Sequence, residues 1–321
     1  REAAYADYQA SQAGIAAARL SVAAQVADTY IIIRGLQARL AVAEEQVATQ
    51  RKLVDTIGLQ YRKGVAAELQ LRQAEGVLAQ VQGTVPVLQV ALDGALNALD
   101  VLMGAQPGTY RTTLTQPSAI PVAPAIADIG GPADLLRRRP DLIVAERRLA
   151  ASNARIGSAI SEYFPKFSLS GLIGTAATGP SALFTGGATQ AQGVLGLRWR
   201  LFDFGRVDAE IKAARGRNAE ALAAYRLAVL RASEDVENSF SALVNREDQQ
   251  RTLAGGETAL ARAQQSSIAA YKGGVVSLIE VLDADTRLLA TRDALAQART
   301  ESARAAVASF RSLGGGWTSA I

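Results

Sequence analysis

Apolar positions repeat along this chain with two different periods, and the change between them divides it. From Ile15 to Tyr61, positions 15, 19, 22, 26, 29, 33, 36, 40, 43, 47, 50, 54, 57 and 61 alternate four and three apart. They hold Ile15, Arg19, Val22, Val26, Thr29, Ile33, Leu36, Leu40, Ala43, Val47, Gln50, Val54, Ile57 and Tyr61, of which eleven are apolar. That is the a/d spacing of a heptad, and sustained this long it predicts helices wound into a left-handed supercoil. A looser version places Tyr225, Val229, Val236, Leu243, Leu253, Leu260 and Tyr271 equivalently, with Gly255-Gly256 as a weak point. No proline interrupts either stretch. At ~1.5 Å per residue, Gly205 to Tyr271 would span roughly 100 Å, and the return from Val275 to Phe310 about half that. Such lengths do not suit a compact globule.

A constant offset of 210 relates the two stretches. Val26-Ala27-Asp28-Thr29-Tyr30 aligns with Val236-Glu237-Asn238-Ser239-Phe240, and Tyr61-Arg62-Lys63-Gly64-Val65 with Tyr271-Lys272-Gly273-Gly274-Val275. Each copy reads as a very long helix, a glycine turn and a returning helix. Between them, residues 104–131 are the most proline-dense part of the chain and predict irregular connection or short strands. In Leu135-Leu136-Arg137-Arg138-Arg139-Pro140-Asp141, Pro140 suits the first position of a helix and Asp141 its positive end. That helix is expected to run to about Glu162.

Residues 166–175 and 194–202 switch to period two. Phe167, Leu169 and Ile173 share one face of the first segment; Lys166, Ser168 and Ser170 share the other. In the second, Leu195, Leu197, Trp199 and Leu201 oppose Arg198 and Arg200. A soluble sandwich shows the same alternation, but segments of about 9–10 residues also have the length of a tilted membrane strand. Tyr163, Phe164, Trp199, Phe202 and Phe204 cluster at the ends, as interfacial girdles do. A lone hairpin is unstable and cannot lie in lipid with open edges, so other chains or other segments must complete it.

Composition narrows the chemistry. The chain of 321 residues has no His and no Cys, which excludes disulfides, thiol nucleophiles, Cys/His zinc sites and Ser-His-Asp triads. A carboxylate-only site remains open. Net charge is +4, too mild for a dedicated nucleic-acid face, so Arg137-Arg138-Arg139 reads as structural or solvated. Hydrophobic residues make up 49% but aromatics only 5%, so small side chains, chiefly Ala, carry the burial and favour close helices. No run of 18 or more apolar residues would cross a bilayer as a helix. Residues 1–30 read as helix from the first letter, without a signal-peptide pattern, and the chain is expected to be an N-terminally truncated piece of a longer protein.

Several motifs together resemble the outer-membrane efflux protein family, the TolC-like channels, and within it the NodT-like branch of efflux lipoproteins. They are Leu135-Leu136-x-Arg138-Arg139-Pro140-Asp141-x-x-x-Ala145-Glu146-x-x-Leu149, continuing to Ile156-Gly157 and Phe164-Pro165, and Leu201-Phe202-Asp203-Phe204-Gly205-Arg206. The turn from Tyr271 to Asp283 and the ending Leu313-Gly314-Gly315-Gly316-Trp317 complete the set. The resemblance implies a mainly α fold with a small membrane β part. Long coiled-coil helices would form an α-barrel, and a β-hairpin would contribute to a trimeric, twelve-stranded outer-membrane β-barrel. By the 210 offset, Arg1 corresponds to Ile211. The family's first hairpin, its preceding helices, a signal and a lipid-carrying Cys are therefore not in this chain, and three copies would supply six strands. The expected organisation is 1–103 as the first helical hairpin and 104–139 as an equatorial linker. After them come a helix at 140–162, the β-hairpin at 163–204, the second helical hairpin at 205–312 and a tail at 313–321.

By resemblance, Glu280 and Asp283, with Tyr271 and Val276, would form the pore constriction. Three copies would set up to six carboxylates around one axis, attracting cations. Acidic residues near a helix N-terminus also simply complement its dipole. The family's charged latch, an Arg, is replaced here by Val276, leaving packing by Val276, Leu278 and Leu282 and a Tyr271 hydrogen bond to hold the tip. Arg62, Lys63, Gly64 and Val65, with Lys272, Gly273, Gly274 and Val275, would meet an adaptor; a solvated tip is the plain alternative. Lys166, Arg198 and Arg200 would line a cationic barrel lumen, with Phe164, Phe167, Trp199 and Phe202 at the membrane interface. The implied function is the exit duct of a tripartite pump in the bacterial outer membrane, with its helices in the periplasm and a tip that opens and closes. Its partners would be two further copies, a periplasmic adaptor, an inner-membrane pump of the RND type and outer-membrane lipid. No enzyme activity, cofactor, metal or nucleic acid is expected. The alternatives are a periplasmic adaptor or a structural coiled-coil component.

Overall fold

The structure, a computed structural model, describes residues 1–122 and 138–315. The expectations for 123–137, including Leu135 and Arg137, and for Gly316 and Trp317 lie outside the described residues. The elements are α1 (Glu2–Arg62), α2 (Glu68–Leu102), α3 (Arg111–Leu114), α4 (Pro140–Ile160), β1 (Lys166–Thr175), β2 (Thr189–Arg198), α5 (Arg206–Lys272) and α6 (Leu278–Ser312). Contacts divide the chain into two units, one of Arg1–Gly14 with Asp141–Val229 and one of Ile15–Pro140 with Leu230–Ile321.

In the first unit, α4 starts at Pro140 and ends at Ile160, and a short 3-10 turn, Ser161–Tyr163, completes the stretch expected as one helix. Arg155 pairs with Asp7 at 2.5 Å, tying α4 to the start of α1. Ser152 Oγ donates to Asn218 Oδ1 at 3.2 Å, tying α4 to α5. The hairpin β1–β2 follows, ten residues a side and antiparallel. The second strand was expected at 194–202, but it runs from Thr189 to Arg198. Backbone pairing with β1 recruits the Gly- and Gln-rich residues from 189 onward, which carry no apolar alternation of their own. It stops at Arg198 because the next residues bond backwards: Trp199 Nε1 donates to the carbonyl of Tyr163 at 3.0 Å.

In the second unit, α1 and α6 run antiparallel and are joined by polar contacts. Arg304 grips Asp28 through two bonds of 2.7 and 3.1 Å, and Arg39 grips Asp293 through two of 2.7 and 3.0 Å. Asp28, Arg39 and Gln50 fall at eleven-residue intervals, and Gln50 donates to Asp285 of α6. Eleven residues are close to three helical turns, so all three side chains stay on one face. Between the two ion pairs the helices approach closely. Gly35 faces Thr300, whose Oγ1 lies 2.2 Å from where a β-carbon at Gly35 would sit.

The heptad set expected to form one buried seam is divided. Ile33, Ile57 and the polar Gln50 are buried, whereas Ile15, Val22 and Tyr61 are exposed. The contact face follows the longer interval of the polar pairs, not the 3.5-residue period. Two apolar clusters flank this ladder. Ile33, Leu92, Leu96 and Leu99 join α1 to α2; Ile57, Ala74, Leu278, Val281 and Leu282 join α1, α2 and α6. Gly255-Gly256 does not break α5, which continues as helix from Arg206 to Lys272. Nor does Pro86 break α2.

The proline-rich connection contains the short α3 and no strand among its described residues. The buried Asp100 carboxylate accepts from the backbone N–H groups of Gly108 at 2.5 Å and Tyr110 at 3.0 Å. Arg34, buried on α1, donates to the carbonyl of Gln116 at 2.6 Å. These side chains supply the bonds that a strand ladder would have made.

The Arg139 and Gly314 motifs meet in the same unit. Buried Arg139 donates to the carbonyl of Ser312 at 3.1 Å and pairs with Asp235 at 3.1 Å, so it gathers the end of α6 onto α5. Gly314 has φ of +69°, and a β-carbon there would lie 2.7 Å from the carbonyl oxygen of Arg138. Only glycine meets both demands.

The Gly35–Thr300 approach makes a prediction. Gly35→Ala overpacks the α1–α6 contact, costing about 1–3 kcal/mol, offset by up to about 1 kcal/mol of alanine's helix preference. Chemical denaturation should show the single variant less stable than the parent. Gly35→Ala with Thr300→Ala should recover the loss.

Candidate functional site

The sequence-predicted residues fall into two groups, one at the helical turns and one at the hairpin. At the turns, Gly64 and Gly274 both adopt φ of +73°. Gly64 N–H donates to the carbonyl of Tyr61 at 2.9 Å and Val65 N–H to that of Gln60 at 2.9 Å. At the 210 offset, Gly274 N–H reaches Tyr271 at 3.0 Å and Val275 N–H reaches Ala270 at 2.9 Å. Left-handed glycines end both helices in the same way, because a β-carbon would clash in that conformation. Arg62, Lys63, Lys272 and Gly273 are exposed around them. The turns also present matched apolar side chains, with Val65 and Val275 almost equally exposed at 77% and 79%.

Behind the turns, the two helical hairpins share one core. Leu278 and Leu282 of α6 are buried with Ile57 of α1 and Ala74 of α2, and Tyr271 packs against them. Tyr271 Oη donates to Gln60 Oε1 at 2.9 Å, linking α5 to α1. Val276 is half-buried. Glu280 and Asp283 lie on the opposite, exposed side of α6. Asp283 is bound to Arg287 at 2.9 Å one turn on, whereas Glu280 has no ion-pair partner among the described residues. By motif the two carboxylates are alike; their surroundings distinguish them.

Asp285 was not singled out in the sequence. It is buried on α6 and held by three glutamine amides, from Gln46 at 3.1 Å, Gln264 at 3.0 Å and Gln50. Burial pushes its carboxyl above the ordinary range, against the opposing pull of those hydrogen bonds and of the Arg292 charge. A heptad position occupied by a polar residue was the available signal, since buried Gln50 requires a polar partner.

At the hairpin, the ladder assigns each side chain to a face, because directly paired residues point the same way. Phe167 opposes Leu197, Leu169 opposes Leu195 and Ile173 opposes Ala191, giving an apolar face interrupted only by the Gly171–Gly193 pair. On the other face, Lys166 opposes Arg198 and Ser168 opposes Gly196. Both faces are exposed in the single chain. Arg200 lies beyond the strand end and pairs with Glu210 of α5 at 3.2 Å and with Glu162 at 3.7 Å. Lys166 also pairs with Glu162. Phe164, Phe167, Trp199 and Phe202 are exposed around this end of the hairpin. Here Asp203 accepts from the backbone N–H of Val207 at 2.8 Å, starting α5, while Phe204 and Gly205 take φ of 51° and 81° to turn the chain.

An amphipathic two-stranded hairpin feeding long helices whose turns repeat at a fixed offset is the architecture that the motifs implied. The sequence profile described as "Outer membrane efflux protein" matches residues 1–105 and 131–315. The chain belongs to the outer membrane efflux protein family. Outer membrane protein OprJ of Pseudomonas aeruginosa is 30% identical over 323 residues, covering 98% of this chain and 66% of that protein. Nodulation protein T of Rhizobium leguminosarum bv. trifolii is 29% identical over 316 residues, covering 94% and 65%. The solved structure of the outer-membrane channel OprN superposes with a TM-score of 0.87 at 34% identity, over 98% of this chain and 71% of that one. The chain thus spans about two thirds of the length of the curated relatives it matches.

Mean hydropathy qualifies the expectation about membrane helices. On mean hydropathy α1 and α2 each contain a stretch of 18 residues apolar enough to cross a bilayer. Their alanine and valine content raises the average without a continuous apolar run. In this family the helical part stands in the periplasm and strands carry the membrane crossing.

The two hairpin faces predict opposite tolerances. Leu169→Arg, on the apolar face, should cost about 2–4 kcal/mol when the protein folds into lipid vesicles. Ser168→Arg, on the polar face, should change folding little. Equal costs would contradict the assignment of faces.

Proposed function

We propose that this chain belongs to the exit duct of a tripartite efflux pump. Three copies enclose a channel that passively conducts substrate through the periplasm and outer membrane, and its helical turns form a closable tip. The observation that carries the reading is the combination of family membership with the hairpin's two faces. The apolar face suits lipid, and the face of Lys166, Ser168 and Arg198 suits a wet, cationic lumen. The partners are a periplasmic adaptor, received at the turns around Gly64 and Gly274, and an inner-membrane pump of the RND type.

Positive Arg62, Lys63 and Lys272 beside apolar Val65 and Val275 give those turns a mixed surface suited to another protein's helices. The relatives' names point to different cargoes: one is a cation efflux protein of Escherichia coli, another exports pyoverdine in Pseudomonas putida. Cargo is accordingly chosen by the inner-membrane pump. The adaptor alternative requires a lipoyl-like β-domain split around the helical hairpin. The described residues contain only the one two-stranded sheet.

At the tip, Glu280 and Asp283 form the acidic constriction, and their surroundings rank them. Arg287 offsets the charge of Asp283, while Glu280 has no ion-pair partner among the described residues. In planar bilayers the full-length trimer should show discrete, cation-preferring conductance. Glu280→Gln should lower the cation preference more than Asp283→Asn, and Arg287→Gln should raise it. Anion preference in the parent, unchanged by all three variants, would sink this assignment of the gate.

A further inference from the structure

The buried polar knot at Asp285 has a chemistry that a passive wall does not require. Asp285 is 3% exposed and Gln50 is fully buried, at the place where α1, α5 and α6 meet. Gln46 and Gln50 of α1 donate to Asp285 Oδ2, and Gln264 of α5 donates to Oδ1. All three donors are neutral. Several charged groups on the surrounding helices are engaged with one another. Arg292 of α6 bonds Glu257 of α5 at 2.9 Å and Glu45 of α1 at 3.4 Å. Glu68, Arg72 and Glu75 of α2 pair among themselves on its exposed face. Asp283 is held by Arg287. Among the described residues no cation bonds the Asp285 carboxylate directly, and Arg292 acts on it only through the field of its charge, which opposes the effect of burial. Gln50 Oε1, meanwhile, is a buried acceptor with no donor.

A carboxylate held only by neutral amides keeps most of its desolvation cost, and the cheapest relief is a proton. Protonation removes the charge and adds a donor beside a side chain whose own acceptor lacks one. We propose that Asp285 is a proton-operated latch on the tip. Protonated, it seals α1 against α5 and α6; ionised, it draws in water and loosens their contact. The latch lies one turn behind Leu282 and two behind Leu278, so loosening acts directly on the core that packs the turns. The inference rests on the duct reading for its consequence, an acid-tightened gate, but not for its chemistry.

The sign follows from the direction of the shift. Burial raises the folded-state pKa of Asp285 above that of the unfolded chain. The folded tip therefore holds the proton more tightly than the unfolded chain does. The contribution to tip stability is fully present below the unfolded-chain value and is lost as pH rises through the folded one.

The test uses the full chain, with infrared spectroscopy for the protonated carboxyl and hydrogen exchange for the tip. A carboxylic acid band should titrate above the ordinary range and be missing from Asp285→Asn. Amide protection in α1 and α6 around Gln50 and Asp285 should fall roughly tenfold from about pH 4 to about pH 7, after correction for intrinsic exchange. Asp285→Asn should abolish that fall. Gln50→Leu, which removes one donor to the ionised form, should move the titration further up, and it keeps the test available if the Asn variant misfolds. Absence of the band, or the same pH dependence in Asp285→Asn, overturns the latch. Conductance is measured separately, so that a protein forming no channel contradicts the duct and not the titration.

Discussion

Close approach of α1 and α6 is the constraint on which the second unit depends. These helices come from different copies of the repeat, and local sequence does not bring them together. Two bidentate ion pairs, Asp28–Arg304 and Arg39–Asp293, fix their register, and the Gln50–Asp285 contact continues it toward the turns. Partly exposed ion pairs add little stability, but they penalise a slipped alignment in which each charge would face an apolar neighbour. Gly35 against Thr300 then sets how near the helices come. Alanines such as Ala298, Ala305 and Ala306, buried on α6, suit the same short separation. The low aromatic content follows from that geometry, since a bulky ring would hold the helices apart.

Much of this was legible in the chain, for reasons that differ by element. The first strand, 166–175, was read with its observed bounds because alternation and length agree there. The two turns were legible because Tyr-x-x-Gly-Val recurs and glycine alone favours the left-handed cap. The start of β2 was not legible, since its first residues are Gly, Gln, Ala and Thr and become strand only through pairing with β1. The α1–α6 ladder was hidden because Asp28 and Arg304 lie 276 residues apart and each looks like an ordinary surface charge. The heptad pattern also claimed positions that stay exposed, including Ile15 and Val22.

The functional residues divide along the same line. Motif and repeat located the turns, the exposed carboxylates and the two faces of the hairpin. Their inequalities emerged only from packing. Asp283 is neutralised by a neighbour one turn away while Glu280 is not, and Arg200 leaves the strand to bind Glu210 and Glu162. Asp285 is the clearest case, because two residues of spacing separate an exposed, solvated carboxylate from a buried one. The rotation of one helix decides which of them faces outward and which faces the protein interior.

A charge-swap cycle reads out the register between α1 and α6. Asp28→Arg and Arg304→Asp should each lower the midpoint of thermal unfolding of the full chain. Combining them should restore most of the loss, because the pair re-forms with its polarity reversed. If the two losses simply add, Asp28 and Arg304 do not meet, and the register described for these helices is wrong.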